Sequence, residues 1–300
     1  MAGSATSNEP PFVHPDSFRP NSFFIGRDDE LRGLHEMLMD RYRRREGTSA
    51  VLIQCLPGGG KSHLARQYVF KHKDDYPGGV YWVRAKTRHD LESGFWRIAR
   101  NEALRGLVDQ RDVDELRDPK KMVSIVRTWL NKQSGWLMVL DGIQFDIPDV
   151  HEFIPFARNT SMIYTSTERS VAGDSRFDNP QVMELGLLTP QEAQELLLRE
   201  MDKKQPWSPD DLANALQLVQ LMQRLPLMIH VAAQHLKATR EPLSKYLKSY
   251  KSRPRVDNLE TYKKVREQLE NRGANTALNL ISILVFFDQH IPVEMVILGM

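Results

Sequence analysis

The spacing of apolar residues divides the chain near residue 187. Before that point, short apolar runs alternate with segments of helical period. The runs are AVLIQC (50–55), GVYWVRA (79–85), GWLMVLDG (135–142), SMIYTS (161–166) and QVMEL (181–185). Between them, residues 61–72, 90–104 and 119–132 read as helices. Apolar strands separated by helices predict a mainly parallel sheet of the α/β class, covered by helices on both faces. An earlier helix is predicted over 28–45, with Leu31, Leu34, Leu38 and Tyr42 on one face and Asp28 as its N-cap.

Beyond residue 187 the strand pattern stops. TPQEAQELLLREM opens with Thr189 as N-cap, Pro190 at the first helical position and Glu192 at the capping-box position. Further helices are predicted over 209–222, 226–237, 243–250 and 259–271. The pattern over 274–300 ends without a cap, as if cut inside a helical region. Residues 1–22, rich in Pro, Ser and Asn, read as a disordered leader or linker.

Composition narrows the classes. A chain of 300 residues with 41% apolar and 27% charged residues is that of an ordinary folded protein. The formal charge of +2 provides no global basic field, so nucleic acid is not an expected partner. The single cysteine, Cys55, excludes an internal disulfide and fits a reducing compartment. The N-terminal stretch lacks the apolar core of a secretory signal, and ALNLISILVFF (277–287) is too short to span a bilayer. A cytoplasmic protein without membrane contact is expected.

The stretch QCLPGGGKSHLAR (54–66) joins a predicted strand to a predicted helix. In that context, successive backbone N–H groups curl around an anion, and the helix N-terminus adds partial positive charge. Lys61 can reach outer phosphates and the Ser62 hydroxyl can bind Mg²⁺. Gly58, Gly59 and Gly60 supply the loop, Pro57 stiffens it, and His63 follows the serine. The pattern GxxxxGK[ST] fails at its first position, where Cys55 stands. Three readings follow: a working nucleotide site, a damaged one, or a glycine turn before an ordinary helix.

A phosphate loop needs a carboxylate for the metal shell, and Asp141 ends the apolar run WLMVLD, where ligands of open α/β sheets gather. The alternative role for Asp141 is a turn aspartate. Beside it stands Gly142, where a second acid would activate water; a positioned general base is worth roughly 10²–10⁴-fold. Its absence predicts slow or absent hydrolysis, with Asp146 as a distant substitute.

With these residues in place, the chain resembles the NB-ARC (AP-ATPase) branch of the STAND class of P-loop NTPases, most closely the fungal NOD-like-receptor type. The resemblance covers roughly 23–300. FFIGRDDEL is similar to the family's opening motif, LPGGGKS to Walker A, WLMVLDG to Walker B and MIYTSTERS to the sensor strand. MELGLLTPQEAQELL resembles the start of a small helical domain, QRLPLMIHVA the GLPL motif, and LISILVFFDQHIPVEMV the opening of a winged-helix domain. The resemblance implies a P-loop strand beside the sensor strand and ADP held between the sheet and helical domains. It further implies exchange for ATP, opening, and self-assembly. Ile25, Gly26 and Arg27 would wrap the adenine, and Pro226 would pack on the nucleotide. This sequence departs from the family at Cys55, at Gly142, at Thr167, where an arginine usually stands, and at Arg224, where a glycine does. Arg169 is the nearest substitute sensor.

The expected architecture is therefore a nucleotide-binding domain over 23–187, an all-helical regulatory domain over 188–253, and the incomplete start of a winged-helix region over 254–300. The expected cofactors are ADP/ATP and Mg²⁺. The expected partners are copies of itself and effector or repeat domains outside this chain. Two other readings remain: a scaffold with a degenerate nucleotide site, and an active ATPase of another P-loop class. RYRRR (41–45) reads as a solvated helix end, and Trp82, Trp96, Trp129 and Trp136 as core.

Overall fold

A computed structural model describes residues 10–101, 118–144, 146–168 and 174–252. Its centre is a six-stranded parallel sheet in the order β1-β3-β4-β5-β2-β6. The strands are β1 (Phe12–Val13), β2 (Thr48–Gln54), β3 (Val80–Arg84), β4 (Leu137–Asp141), β5 (Thr160–Ser166) and β6 (Gln181–Glu184). Alternation along each strand sends side chains to two separate cores. Ala50, Leu52, Met138 and Leu140 join one core with Phe95, Val126 and Trp136. Val51, Ile53, Leu137 and Val139 join the other with Leu34, Leu64 and Tyr68.

Helices cover both faces. They are α1 (Asp28–Leu38), α2 (Arg41–Glu46), α3 (Lys61–His72), α4 (Arg88–Ala99) and α5 (Pro119–Lys132). Helices α4 and α5 cover the first core; α1 and α3 cover the second. The remaining described chain is helical: α6 (Pro190–Glu200), α7 (Pro209–Leu221), α8 (Pro226–Thr239) and α9 (Leu243–Ser252). These enclose a third core around Leu197, Leu218, Ile229 and Leu236. The capping box of Thr189 and Glu192 forms as its sequence predicts.

Several expectations change. The stretch read as a disordered leader is part of the sheet from its thirteenth residue back to Phe12, which pairs in parallel with Val80. Phe18 explains why: it is buried, its ring lies 4.7 Å from Trp82, and the Arg66 guanidinium sits over it. The helix expected over 28–45 is two helices. Asp40 breaks it by accepting from the Tyr42 and Arg43 amides as the N-cap of α2, which turns Tyr42 out to solvent. Arg27, not Asp28, occupies the N-cap of α1. Helix α4 begins at Arg88 because Thr87 caps it, and it ends at Ala99; residue 104 lies outside the described chain. Strand β2 begins at Thr48 rather than Ala50. Its polar start is buried yet bonded, Ser49 Oγ donating to Met37 O at 2.7 Å. The helix expected over 259–271 and the winged-helix start lie outside the described residues. Trp82 and Trp136 are core and Trp96 and Trp129 pack at its edge, as expected.

Gly94 lets α4 approach β3: a Cβ there would stand 2.4 Å from Val83 Cγ1. Gly94→Val is expected to destabilise the fold by about 1–3 kcal/mol through overpacking. Urea denaturation measures this, and a midpoint equal to wild type would contradict the close packing.

Candidate functional site

The parallel register aligns the strand ends. Gln54 at the end of β2 pairs with Ser166 of β5, and Thr165 of β5 pairs with Asp141 of β4. The loop leaving β2 therefore opens beside the Asp141 carboxylate. Gly58 (φ 77°) and Gly60 (φ 99°) both take left-handed backbone that favours glycine. Gly59 N–H donates to Leu56 O at 3.1 Å, closing the turn. The Cys55 side chain fits because its neighbour has none: a Cβ on Gly59 would lie 2.4 Å from Cys55 Sγ. Cysteine at the first loop position is thus accommodated by the second glycine of the triplet.

Lys61 opens α3. Its Nζ donates to Cys55 O at 2.9 Å and to Leu56 O at 3.3 Å, with Cys55 Sγ at 3.7 Å. Burial lowers its pKa, while Cys55 and Asp141 push back. One residue on, Ser62 Oγ donates to Asp141 Oδ1 at 2.5 Å. The same carboxylate oxygen accepts from Thr165 Oγ1 at 2.7 Å. Thr165 in turn accepts from Gly142 N–H at 2.7 Å. A hydroxyl and a carboxylate converging in this way are hard oxygen donors, the type Mg²⁺ takes. A half-buried ammonium whose oxygen partners are neutral carbonyls is likewise suited to a phosphate. The residues present therefore fit a Mg²⁺–nucleotide.

Gly142 carries φ 75°, and a Cβ there would stand 3.1 Å from Lys86 Cγ. A side chain at the position of the missing second acid would be strained and crowded. Asp146 is exposed and Thr167 lies at the surface. Arg169 lies outside the described residues.

The segment before α1 bridges the sheet and the helical region. Phe23 and Ile25 pack on the helical core, while Phe24 packs on the sheet side. Gly26 (φ 63°) leaves no room for a side chain against Glu192. Arg27, itself buried, donates from Nη2 to Gly186 O and from Nη1 to Glu30, both at 2.6 Å. The start of α8 rests on the glycine loop. Leu227 N–H donates to Gly58 O at 3.2 Å, and Pro226 Cγ stands 4.0 Å from where a Gly60 Cβ would be. Arg224 takes left-handed backbone (φ 56°), which accounts for the family's glycine at this place. Here the strain is offset by its Nη1 donating to Leu188 O at 3.0 Å.

The structure thus brings Ile25–Arg27, the glycine loop, Ser62, Asp141 and Pro226 to one end of the sheet. Sequence reasoning missed Thr165, Leu227 and Glu200. Thr165 was foreshadowed by the polar end of SMIYTS; the other two depend on how the helices dock.

No protein-family model matches the chain. The fold is that of the P-loop NTPases. It is similar to a Walker-type ATPase of Pyrococcus abyssi, with 13% identity, TM-score 0.51, and 92% of this chain and 88% of that one covered. It is also similar to the ORC1 protein of Aeropyrum pernix, solved in complex with DNA, with 16% identity, TM-score 0.50, and 84% and 70% covered. In sequence, the chain is similar to a nucleotide-binding leucine-rich repeat (NLR)-like protein of Hyaloscypha variabilis, 25% identical over 254 residues. That match takes in 78% of this chain and 24% of the relative, so the chain spans about a quarter of the relative's length. Among the described residues no helix is long and apolar enough to cross a membrane.

Behind the loop, Glu200 is buried and bonded to His230 Nδ1 at 2.5 Å. That bond raises the His230 pKa against the effect of burial. His63, at the boundary of the sheet and helical regions, has a lowered pKa, first from desolvation and then from the charges of Arg66 and His230. A raised histidine pKa contributes stability that is fully present below the ordinary value of about 6.5 and lost as pH rises through the folded value. His63 acts oppositely, costing stability as pH falls below about 6.5. Glu200→Gln is therefore expected to lower the melting temperature most below about pH 6.5 and progressively less as pH rises above it. Thermal melts across pH measure the difference between variant and wild type; Glu200 also holds the His63 pKa up, so its loss adds to the destabilisation on the acid side. A difference constant with pH would contradict the pairing.

Proposed function

We propose that this chain is the nucleotide-binding module of an ADP/ATP-dependent switch of the NB-ARC type. The observation that carries the reading is the convergence of Ser62 and Thr165 on Asp141 beneath a glycine loop on which Leu227 rests. In this reading the amides of 58–62 and the Lys61 ammonium hold the phosphates. Charge-assisted contacts of that kind contribute about 1.5–3 kcal/mol each. Ser62 and Asp141 hold Mg²⁺, which neutralises phosphate charge when bound. Ile25, Gly26, Arg27 and Pro226 enclose the adenine end, and Arg169 reports on the terminal phosphate.

Hydrolysis is slow or absent, because the backbone at Gly142 disfavours a second acid. Nucleotide held between the glycine loop and the start of α8 would keep the two regions together, and exchange would free them. Opening then leads to self-association, or to release of effector or repeat domains outside this chain. The NLR-like relative, about four times longer than the matched stretch, supports such a setting. A cytoplasmic location fits the lone cysteine.

One observation favours a second reading, a scaffold that no longer binds nucleotide. Cys55 Sγ lies inside the loop, and the loop's own carbonyls engage Lys61. Denaturing the purified protein and identifying released nucleotide by chromatography separates the two. The switch reading expects ADP near one equivalent from wild type and little from Lys61→Ala. An empty wild-type protein whose melting temperature does not respond to millimolar ADP with Mg²⁺ would support the scaffold.

A further inference from the structure

Helices α1 and α3 lie side by side, sharing the core that contains Leu31, Leu34, Leu64 and Tyr68. Toward their C-terminal ends they bring two imidazoles together. His35 of α1 and His72 of α3 stack with ring centroids 4.2 Å apart and planes 23° from parallel. Asp75, in the 3-10 turn that follows α3, places Oδ2 at 2.9 Å from His72 Nδ1. One ring nitrogen from each histidine and one carboxylate oxygen all lie within 4.8 Å of one another. His35 Nδ1 is engaged by the Tyr68 hydroxyl at 3.1 Å, and that hydroxyl is 2.7 Å from the hydroxyl of Tyr76. The buried tyrosine pair therefore fixes the His35 ring and leaves Nε2 as its free nitrogen, the arrangement by which outer partners orient a metal ligand.

We propose that His35, His72 and Asp75 form a site for a divalent transition-metal ion of the zinc type, clamping α1 to α3. Two imidazoles and a carboxylate match the donors Zn²⁺ takes, whereas Mg²⁺ and Ca²⁺ favour oxygen alone. Metal–nitrogen bonds of about 2.0–2.1 Å set tetrahedral donors roughly 3.4 Å apart. The cluster reaches that spacing when the imidazoles tilt out of their stack and the His72–Asp75 hydrogen bond opens. Asp75 is half exposed, so an ion can enter from solvent and a water can take the fourth position. The site stands at the opposite end of α3 from Lys61, and of α1 from Arg27, and it does not rest on the nucleotide reading.

The test uses the full chain, stripped with chelator and titrated with ZnCl₂ by calorimetry and thermal shift. The expected result is one equivalent bound, with a melting temperature that rises with ZnCl₂. Asp75→Asn, a change at a half-exposed position, is expected to weaken binding by at least about tenfold. His72→Gln is expected to abolish binding, and Co²⁺ added to wild type should give visible bands that the variant lacks. Wild type that binds no Zn²⁺ would overturn the proposal. So would an affinity unchanged in Asp75→Asn, which would place the ion elsewhere, and that variant decides the matter if His72→Gln does not fold.

Discussion

One carboxylate oxygen organises this end of the molecule. Asp141 Oδ1 accepts from Ser62 at the start of α3 and from Thr165 at the end of β5. Three elements distant in sequence thus meet at one atom. The register of the parallel sheet makes this possible, because β4, β5 and β2 end level with one another. A slip by one residue would turn Asp141 to the opposite face. The two cores, one on each side of the sheet, hold that register through strictly alternating side chains.

A second constraint follows from the first. Because the glycine loop opens where the strands end, the helical region must dock there to cover it. It does so with Leu227 on Gly58, and through Arg27, which reaches both Glu30 and the carbonyl of Gly186. Docking of the helical region also explains two residue choices. Gly26 faces Glu192 and Gly58 faces Leu227, both with left-handed backbone, so neither has space for a side chain. Local backbone and distant packing select the same residue at these positions, which is the consistency expected of a sequence that specifies one fold.

Most of the sheet was legible in the sequence because its strands are short apolar runs bounded by helices of clear period, and β2, β4 and β5 lie close to where those runs fall. The loop and Asp141 were legible because their chemistry requires particular residues at a strand end. What escaped was set by contacts between distant segments. Nothing local in PPFVHPDSF announces a sheet edge; the burial of Phe18 against Trp82 creates it. Asp40 looked like part of a helix face and proved to be a cap, since its carboxylate competes for the amides ahead of it. The pairing of Glu200 with His230 needed the packing of α6 against α8. Thr165 needed the register.

In the proposed site, Asp141 and Ser62 organise a metal ion for a nucleotide on the glycine loop. Calorimetric titration of ADP with and without Mg²⁺, into wild type and Asp141→Asn, tests it most directly. Mg²⁺ is expected to tighten ADP binding to wild type and to have no effect on binding to the variant. An identical Mg²⁺ effect in both proteins, or no ADP binding by wild type, would contradict it.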